Sequence, residues 1–284
     1  MHRSCILNEL YIYSAKHVGV NNNLHDNLTY PDQIRYYKSH TGNFAMNFRT
    51  LHLINPIIRA VTEAGYSRPT EMQCEVIPAI LAGRDVIGYA EPGTEKTAAF
   101  IMPVLQLLKK KSAEHNRIRA LILVPTKERV LQMEDHLNLY SKYLPLSQLS
   151  VFGGIEATGQ LAALKNRIDI LIATPERLME LIEKRSVDLS GIEIMVADEA
   201  DRMLEEQGCE DKLRHFVQLM PKRRQVVLFS ETMLKNIQAT AAIILRNPIQ
   251  INITNDRGTA VNIQQPADFI KQEYTTGLLL TGRA

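Results

Sequence analysis

Two short stretches carry residue types suited to phosphate chemistry. In Ala90-Glu91-Pro92-Gly93-Thr94-Glu95-Lys96-Thr97, a glycine, a lysine and a hydroxyl stand together at the start of a helical pattern. Backbone N–H groups around a residue such as Gly93 can wrap a phosphate, Lys96 can reach its outer oxygens, and the Thr97 hydroxyl suits Mg²⁺. Glu95 stands where a glycine is expected before the lysine, so by itself the stretch fits an ordinary strand-turn-helix equally well. Further along, Asp198-Glu199-Ala200-Asp201 follows a short apolar run. Two carboxylates there suit a site that holds a metal and orients a water. The plainer alternative is a helix start, where the dipole favours acids.

Positioning these groups requires strands that end where the loops begin. Short β-rich runs occur at Asp85 to Ala90, Ala120 to Val124, Gln148 to Phe152, Asp169 to Ala173, Glu193 to Ala197, Gln225 to Phe229 and Ile249 to Ile253. Between them lie helical patterns such as Lys96 to Lys109, Glu128 to Tyr140 and Pro175 to Ile182. Upstream, Ile54, Ile57, Ile58 and Val61 recur at helical spacing before Gly65, and Thr70 with Gln73 has the spacing of a capping box. This alternation predicts an α/β fold, a mostly parallel sheet with helices on both faces. Ligands of such sheets bind at the carboxyl ends of the strands.

Composition bounds the function. The 284 residues with 45% apolar content can bury a core, which excludes a wholly disordered chain. Thirty-three basic against 31 acidic residues leave a net charge of +2, so a polyanion must be met by a local patch. The runs Lys109-Lys110-Lys111 and Lys222-Arg223-Arg224 read as solvated helix ends or turns. Three cysteines, Cys5, Cys74 and Cys209, lack disulfide or zinc spacing. Nothing approaches the roughly 18 apolar residues of a membrane span. The expectation is a protein of the reducing cytoplasm, with no membrane contact. Residues 1–45, rich in Tyr and His and without periodicity, read as an extension of little order, with Met46 as an alternative start.

With their flanks, the two stretches resemble the DEAD-box family of ATP-dependent RNA helicases, specifically the first of its two RecA-like domains. The likeness covers roughly Phe48 to Tyr274, and the motifs come in the family's order. The implied fold is a RecA-like P-loop NTPase domain over about 46–262, and the implied cofactors are ATP and Mg²⁺. Gly65 to Gln73, preceded by Phe48, resembles the adenine-reading Q motif, which implies that Gln73 reads the base and that Phe48 and Tyr66 lie near it. Gly93, Thr94, Lys96 and Thr97 are implied to hold phosphate, Thr97 and Asp198 the metal, and Glu199 the attacking water, with Lys96, Asp198 and Glu199 the catalytic set. Pro125-Thr126, Gly153-Gly154 and Thr174-Pro175-Glu176-Arg177 resemble the motifs that track an RNA backbone, which needs hydroxyls, N–H groups and a cation but no base reading. Ser230-Glu231-Thr232 resembles the motif that couples nucleotide state to strand separation, through Ser230 and Thr232.

Six positions depart from the family pattern: Pro92, Glu95, Lys127, Arg129, Glu176 and Glu231. Pro92 removes an N–H. Glu95 brings a carboxylate to a helix start that would receive a phosphate, unless it turns outward. A carboxylate about 4 Å from a phosphate opposes binding by roughly 1 to 4 kcal/mol. Nucleotide affinity is expected to fall at least tenfold, on the order of 1.4 kcal/mol. Glu176 places negative charge on the RNA track, which should weaken RNA binding as well. Lys271 to Tyr274 resembles the entry to the second RecA-like domain, so residues 263–284 read as its truncated beginning. On this reading the chain alone does not unwind RNA, and a protein supplying the second domain in trans is the implied partner. The alternative is a catalytically silent module that binds RNA or protein.

Overall fold

The computed structural model describes residues 47–90, 95–110, 117–154 and 157–253. The extension 1–45, the segment 263–284, and Pro92, Gly93 and Thr94 of the phosphate loop lie outside the described residues. The compact unit that contains the described residues closes at Ile253.

All seven expected strands form: β1 (Val86–Ala90), β2 (Ala120–Leu123), β3 (Gln148–Val151), β4 (Ile170–Ala173), β5 (Ile194–Ala197), β6 (Gln225–Ser230) and β7 (Ile249–Ile253). They make one sheet in the order β3-β4-β2-β5-β6-β1-β7, and every pairing is parallel. The five inner strands are buried on both faces, whereas β3 and β7 at the edges are partly exposed. Alternate residues feed two cores. Ile122, Ile172, Val196, Val227 and Phe229 face a layer of α1 (Asn55–Glu63), α2 (Glu71–Leu81), α3 (Lys96–Lys110) and α4 (Lys127–Ser141). Leu121, Leu171, Met195 and Leu228 face the opposite layer, with α6 (Pro175–Glu183), α7 (Ala200–Glu205), α8 (Cys209–Leu219) and α9 (Lys235–Ile244). A short helix, α5 (Ala157–Ala163), follows β3. Among the described residues no helix is long and apolar enough to cross a membrane.

Three strands start one residue later than the sequence pattern suggests, and the reason is chemical. Asp85, Asp169 and Glu193, at these boundaries, use their side chains to tie the amino edge of the sheet together. Asp85 accepts the N–H groups of Val226 and Arg246 at 2.9 and 2.7 Å. Arg119 donates to Glu193 at 2.8 Å and to the Leu108 carbonyl at 3.0 Å, and Asp169 accepts the Ser147 N–H at 3.0 Å. The amino edge is thus committed to structure, which leaves the carboxyl edge for chemistry.

Gly88, in the middle of β1, lies opposite Phe229 of β6 in register, and the Phe229 ring covers it. A Cβ at Gly88 would sit 2.4 Å from Phe229 Cε1. The ring cannot swing away freely, because it packs against Phe100 with centroids 5.5 Å apart. Gly88→Ala is therefore expected to cost about 1–3 kcal/mol of stability. Urea denaturation measures it, and Phe229→Leu in the same chain should recover part of the loss.

Candidate nucleotide site and RNA track

The strand order sorts the candidate loops into two neighbouring groups along the carboxyl edge. The phosphate loop follows β1, Asp198-Glu199 follows β5 and Ser230-Glu231-Thr232 follows β6, and these three strands are adjacent. Pro125-Thr126, Gly153-Gly154 and Thr174-Pro175 follow β2, β3 and β4, also adjacent. The boundary falls between β2 and β5.

At the adenine end, the capping box forms as expected: Thr70 Oγ1 accepts the Gln73 N–H at 3.3 Å and Gln73 Oε1 accepts the Thr70 N–H at 3.1 Å. The other end of the Gln73 amide is engaged too, since Nε2 donates to Glu95 Oε2 at 3.0 Å. Glu95 is exposed, yet its carboxylate is engaged by the Gln73 amide, the donor that the Q-motif resemblance assigns to adenine. Its backbone is left-handed, φ 53°, a conformation that favours the glycine this position lacks. Tyr66 is half-buried near Tyr140, and its ring packs against the core. Phe48 is 5% exposed inside the core, so it contributes packing and presents no ring to a base.

Two residues on α4 complete this end without having stood out in the sequence. His136 and Tyr140, four residues apart, stack with ring centroids 6.3 Å apart. Burial, together with the Tyr66 hydroxyl and the Glu95 charge, pushes the Tyr140 phenol well above its ordinary range. Burial and the positive charge of Arg129 hold the His136 imidazole below its ordinary 6.5, while Asp135 and Glu95 pull it up. Helical spacing was the available signal for the pair, but it reads equally as core.

At the phosphate end, Lys96 is nearly buried at the start of α3. Its Nζ donates to the Ala90 carbonyl at 3.0 Å and lies 3.8 Å from Glu231 Oε1. Glu231, whose partner the sequence did not reveal, is thus the counter-ion of the candidate phosphate lysine. Asp201 ties the two carboxyl-edge motifs together: its Oδ2 accepts the Glu231 N–H at 3.1 Å and the Thr232 hydroxyl at 3.5 Å. Ser230 Oγ donates to the Thr232 carbonyl at 2.9 Å and accepts the Thr232 N–H at 3.3 Å, which closes a tight turn.

The candidate metal ligands are also brought together, around a side chain. Arg129, the third residue of α4, sends Nη2 to Asp198 Oδ2 at 2.6 Å and to Thr97 Oγ1 at 3.0 Å. Its Nε lies 3.1 Å from Glu199 Oε1, close enough for an ion pair but not aligned as a hydrogen bond. Glu199 holds left-handed backbone at φ 55° and also pairs with Arg202 at 3.5 Å. Asp198 is fully buried, and its Oδ1 has no hydrogen-bond partner among the described residues. Mg²⁺ needs near-octahedral oxygen ligation. With Thr97 Oγ1 and Asp198 Oδ2 both engaged by a guanidinium, Asp198 Oδ1 is the one oxygen of the pair left unpartnered among the described residues, and a single buried oxygen beside that cation does not supply the near-octahedral set while Arg129 stays in place.

The other group of loops is more open. Thr126 caps α4, accepting the Arg129 N–H at 3.3 Å, and is exposed, as are Gly153 and Gly154. Open space surrounds both glycines, and Gly154 has φ +80°. Lys127 Nζ lies 5.7 Å from the centre of the Phe152 ring, beside Gly153. Pro125 is half-buried, and Thr174 and Arg177 are buried. Arg177 Nε donates to Gln160 at 3.2 Å, and Gln160 donates to the Phe152 carbonyl at 3.1 Å, so Arg177 braces the Gly153 turn rather than lying open to a ligand. Glu176 pairs with Lys212 at 2.8 Å. Burial raises its pKa most strongly, but the Lys212 bond and charge, a backbone hydrogen bond and the Glu206 carboxyl together outweigh this and hold it below the usual range. The repulsion expected from Glu176 is thereby largely neutralised.

A family model for DEAD/DEAH box helicases matches residues 70–240. The chain belongs to the DEAD/DEAH box helicase family. It is 36% identical over 228 residues to the probable ATP-dependent RNA helicase ddx27 of Dictyostelium discoideum, spanning 80% of this chain and 29% of that protein. It is likewise 36% identical to the ATP-dependent RNA helicase DRS1 of Eremothecium gossypii, over 86% of this chain and 34% of that one. The chain therefore spans about a third of the length of these helicases. Among solved structures, a DEAD box protein from Methanococcus jannaschii matches with a TM-score of 0.69 and 28% identity, over 74% of this chain and 56% of that one. The DEAD-box fold expectation is thus met, with an all-parallel sheet.

His136 reports on the two unusual charges of this DEAD-box cleft. Arg129→Leu should raise its pKa and Glu95→Gly should lower it further, as read from NMR titration of the imidazole C–H signals. Because the folded value lies below 6.5, the unfolded chain binds the extra proton first on acidification. The stability associated with neutral His136 is therefore complete above about pH 6.5 and declines as the pH falls through that value.

Proposed function

We propose that this chain binds RNA along its sugar-phosphate backbone as a DEAD-box RecA-like domain, with no ATP turnover of its own. One observation carries the reading. Gln73, Lys96 and Asp198, the three groups that would meet base, phosphate and metal, are each engaged by a side chain that departs from the family pattern: Glu95, Glu231 and Arg129. On the neighbouring loops Thr126, Gly153 and Gly154 remain exposed beside Lys127. A backbone track reads phosphate and sugar rather than bases, so binding should be independent of sequence and sensitive to salt. The proposal includes a reducing cytoplasmic setting, in keeping with three cysteines that lack disulfide or zinc spacing.

A second reading is favoured by the fact that Thr97, Asp198 and Glu199 gather around Arg129 at the carboxyl end of the sheet, with Lys96 beside Thr97 at the start of α3. Here the chain is the ATP-binding half of an ATP-dependent RNA helicase, using ATP and Mg²⁺ and completed by a second RecA-like domain in trans. The two readings separate in one titration. Fluorescence anisotropy with single-stranded RNA should give the same affinity with and without ATP–Mg²⁺, and Lys127→Glu should weaken it on the order of tenfold, about 1.4 kcal/mol. ATP–Mg²⁺ that tightens RNA binding, together with RNA-stimulated ATP turnover on adding a second RecA-like domain, would establish the helicase reading instead.

A further inference from the structure

We propose that the Arg129 guanidinium is a resident cation that replaces the divalent metal of this cleft, so that Asp198 is closed to Mg²⁺ and Mn²⁺. The inference deepens the reading above and rests on its assignment of Thr97, Asp198 and Glu199 to the family's metal-holding positions.

The guanidinium meets three oxygens that a metal would use or face: Thr97 Oγ1 at 3.0 Å, Asp198 Oδ2 at 2.6 Å and Glu199 Oε1 at 3.1 Å. Arginine suits the place because its charge is permanent and weakly hydrated, so it enters a buried site at lower cost than an ammonium. Arg129 is also well anchored. Its N–H is held by the Thr126 cap, and Nη1 donates to Gln132 on the same helix at 3.2 Å. A tethered cation competes at an effective concentration that free metal must exceed. A divalent ion arriving beside it would also meet a like charge within a few ångströms, in surroundings where such repulsion is poorly screened. Arg129, Lys96 and Arg202 already stand against Asp198, Glu199, Asp201 and Glu231, so the acids are neutralised largely by the chain itself.

The origin of Arg129 reinforces the point. It sits in the first turn of α4, the helix that follows β2, the boundary strand between the two halves of the carboxyl edge, and reaches into the half occupied by β5, β6 and β1. The bond from Arg129 to Asp198 therefore crosses from the candidate RNA motif to the candidate nucleotide site.

Metal binding can be read directly, without activity. The full chain is titrated with Mn²⁺, following loss of the free-ion EPR signal and the thermal midpoint. The wild type should bind no Mn²⁺ through Asp198, so Asp198→Asn should leave its Mn²⁺ titration unchanged. Arg129→Leu should bind Mn²⁺ on the order of tenfold or more tighter than the wild type. Adding Asp198→Asn to Arg129→Leu should abolish that gain. If Arg129→Leu fails to fold by circular dichroism, Arg129→Gln keeps a neutral donor to Asp198 and should show the same gain. The inference is overturned if the wild type binds Mn²⁺ and loses it with Asp198→Asn, because Arg129 then yields to the ion. It is equally overturned if a folded Arg129 variant binds Mn²⁺ no better than the wild type. Failure of RNA binding would remove the function proposed above and leave this inference standing.

Discussion

A carboxylate with no exposed surface has to be neutralised, and in this protein the neutralisation of Asp198 organises the cleft around it. Asp198 directly follows a strand buried on both faces and has no exposed surface, so water cannot solvate it. In the family's pattern a metal would serve that need; here a guanidinium does. Removing one partner of a buried pair costs about 3–5 kcal/mol, because the remaining charge is left without compensation. Arg129 is thus tied to Asp198 by the same desolvation that makes the strand a good core element. The guanidinium is held where the core packing of α4 and its Thr126 cap place it, and the electrostatics of His136 follow from that position.

The other departures have the same character. Glu95 answers the Gln73 amide and Glu231 answers Lys96, so each group that a nucleotide would engage has an internal substitute. Glu176, the remaining departure among the described residues that adds a carboxylate, is answered by Lys212 on α8. Arg129, Glu176 and Glu231 each enter an ion pair, and Glu95 is held by a neutral amide. This matters for the energetics of binding, because a ligand must break these contacts before making its own. On the function proposed, the affinity lost is then the worth of the internal pairs as much as the repulsion of a phosphate.

Some of this was legible in the chain and some was not. Seven strands, the capping box at Thr70 and Gln73, and the order of the loops could be read because each depends on neighbours close in sequence. The strand starts at Asp85, Asp169 and Glu193 were one residue early because polar side chains there serve the sheet edge rather than the ladder. Phe48 looked like an isolated ring available to a ligand, but burial in the core gave it another use. Glu95 was read as a threat to phosphate, whereas its carboxylate turns toward Gln73, which precedes it by a whole helix and strand.

Local patterning by itself thus determined the elements, their parallel arrangement and the family, since periodicity and motif spacing act over a few residues at a time. What only the tertiary structure decided is which charge meets which. Arg129 and Asp198, Lys96 and Glu231, and Glu176 and Lys212 are distant in sequence and become neighbours through the sheet order and helix packing. Ion pairs depend on distance and desolvation in space, and neither quantity is written in the spacing of residues along a chain.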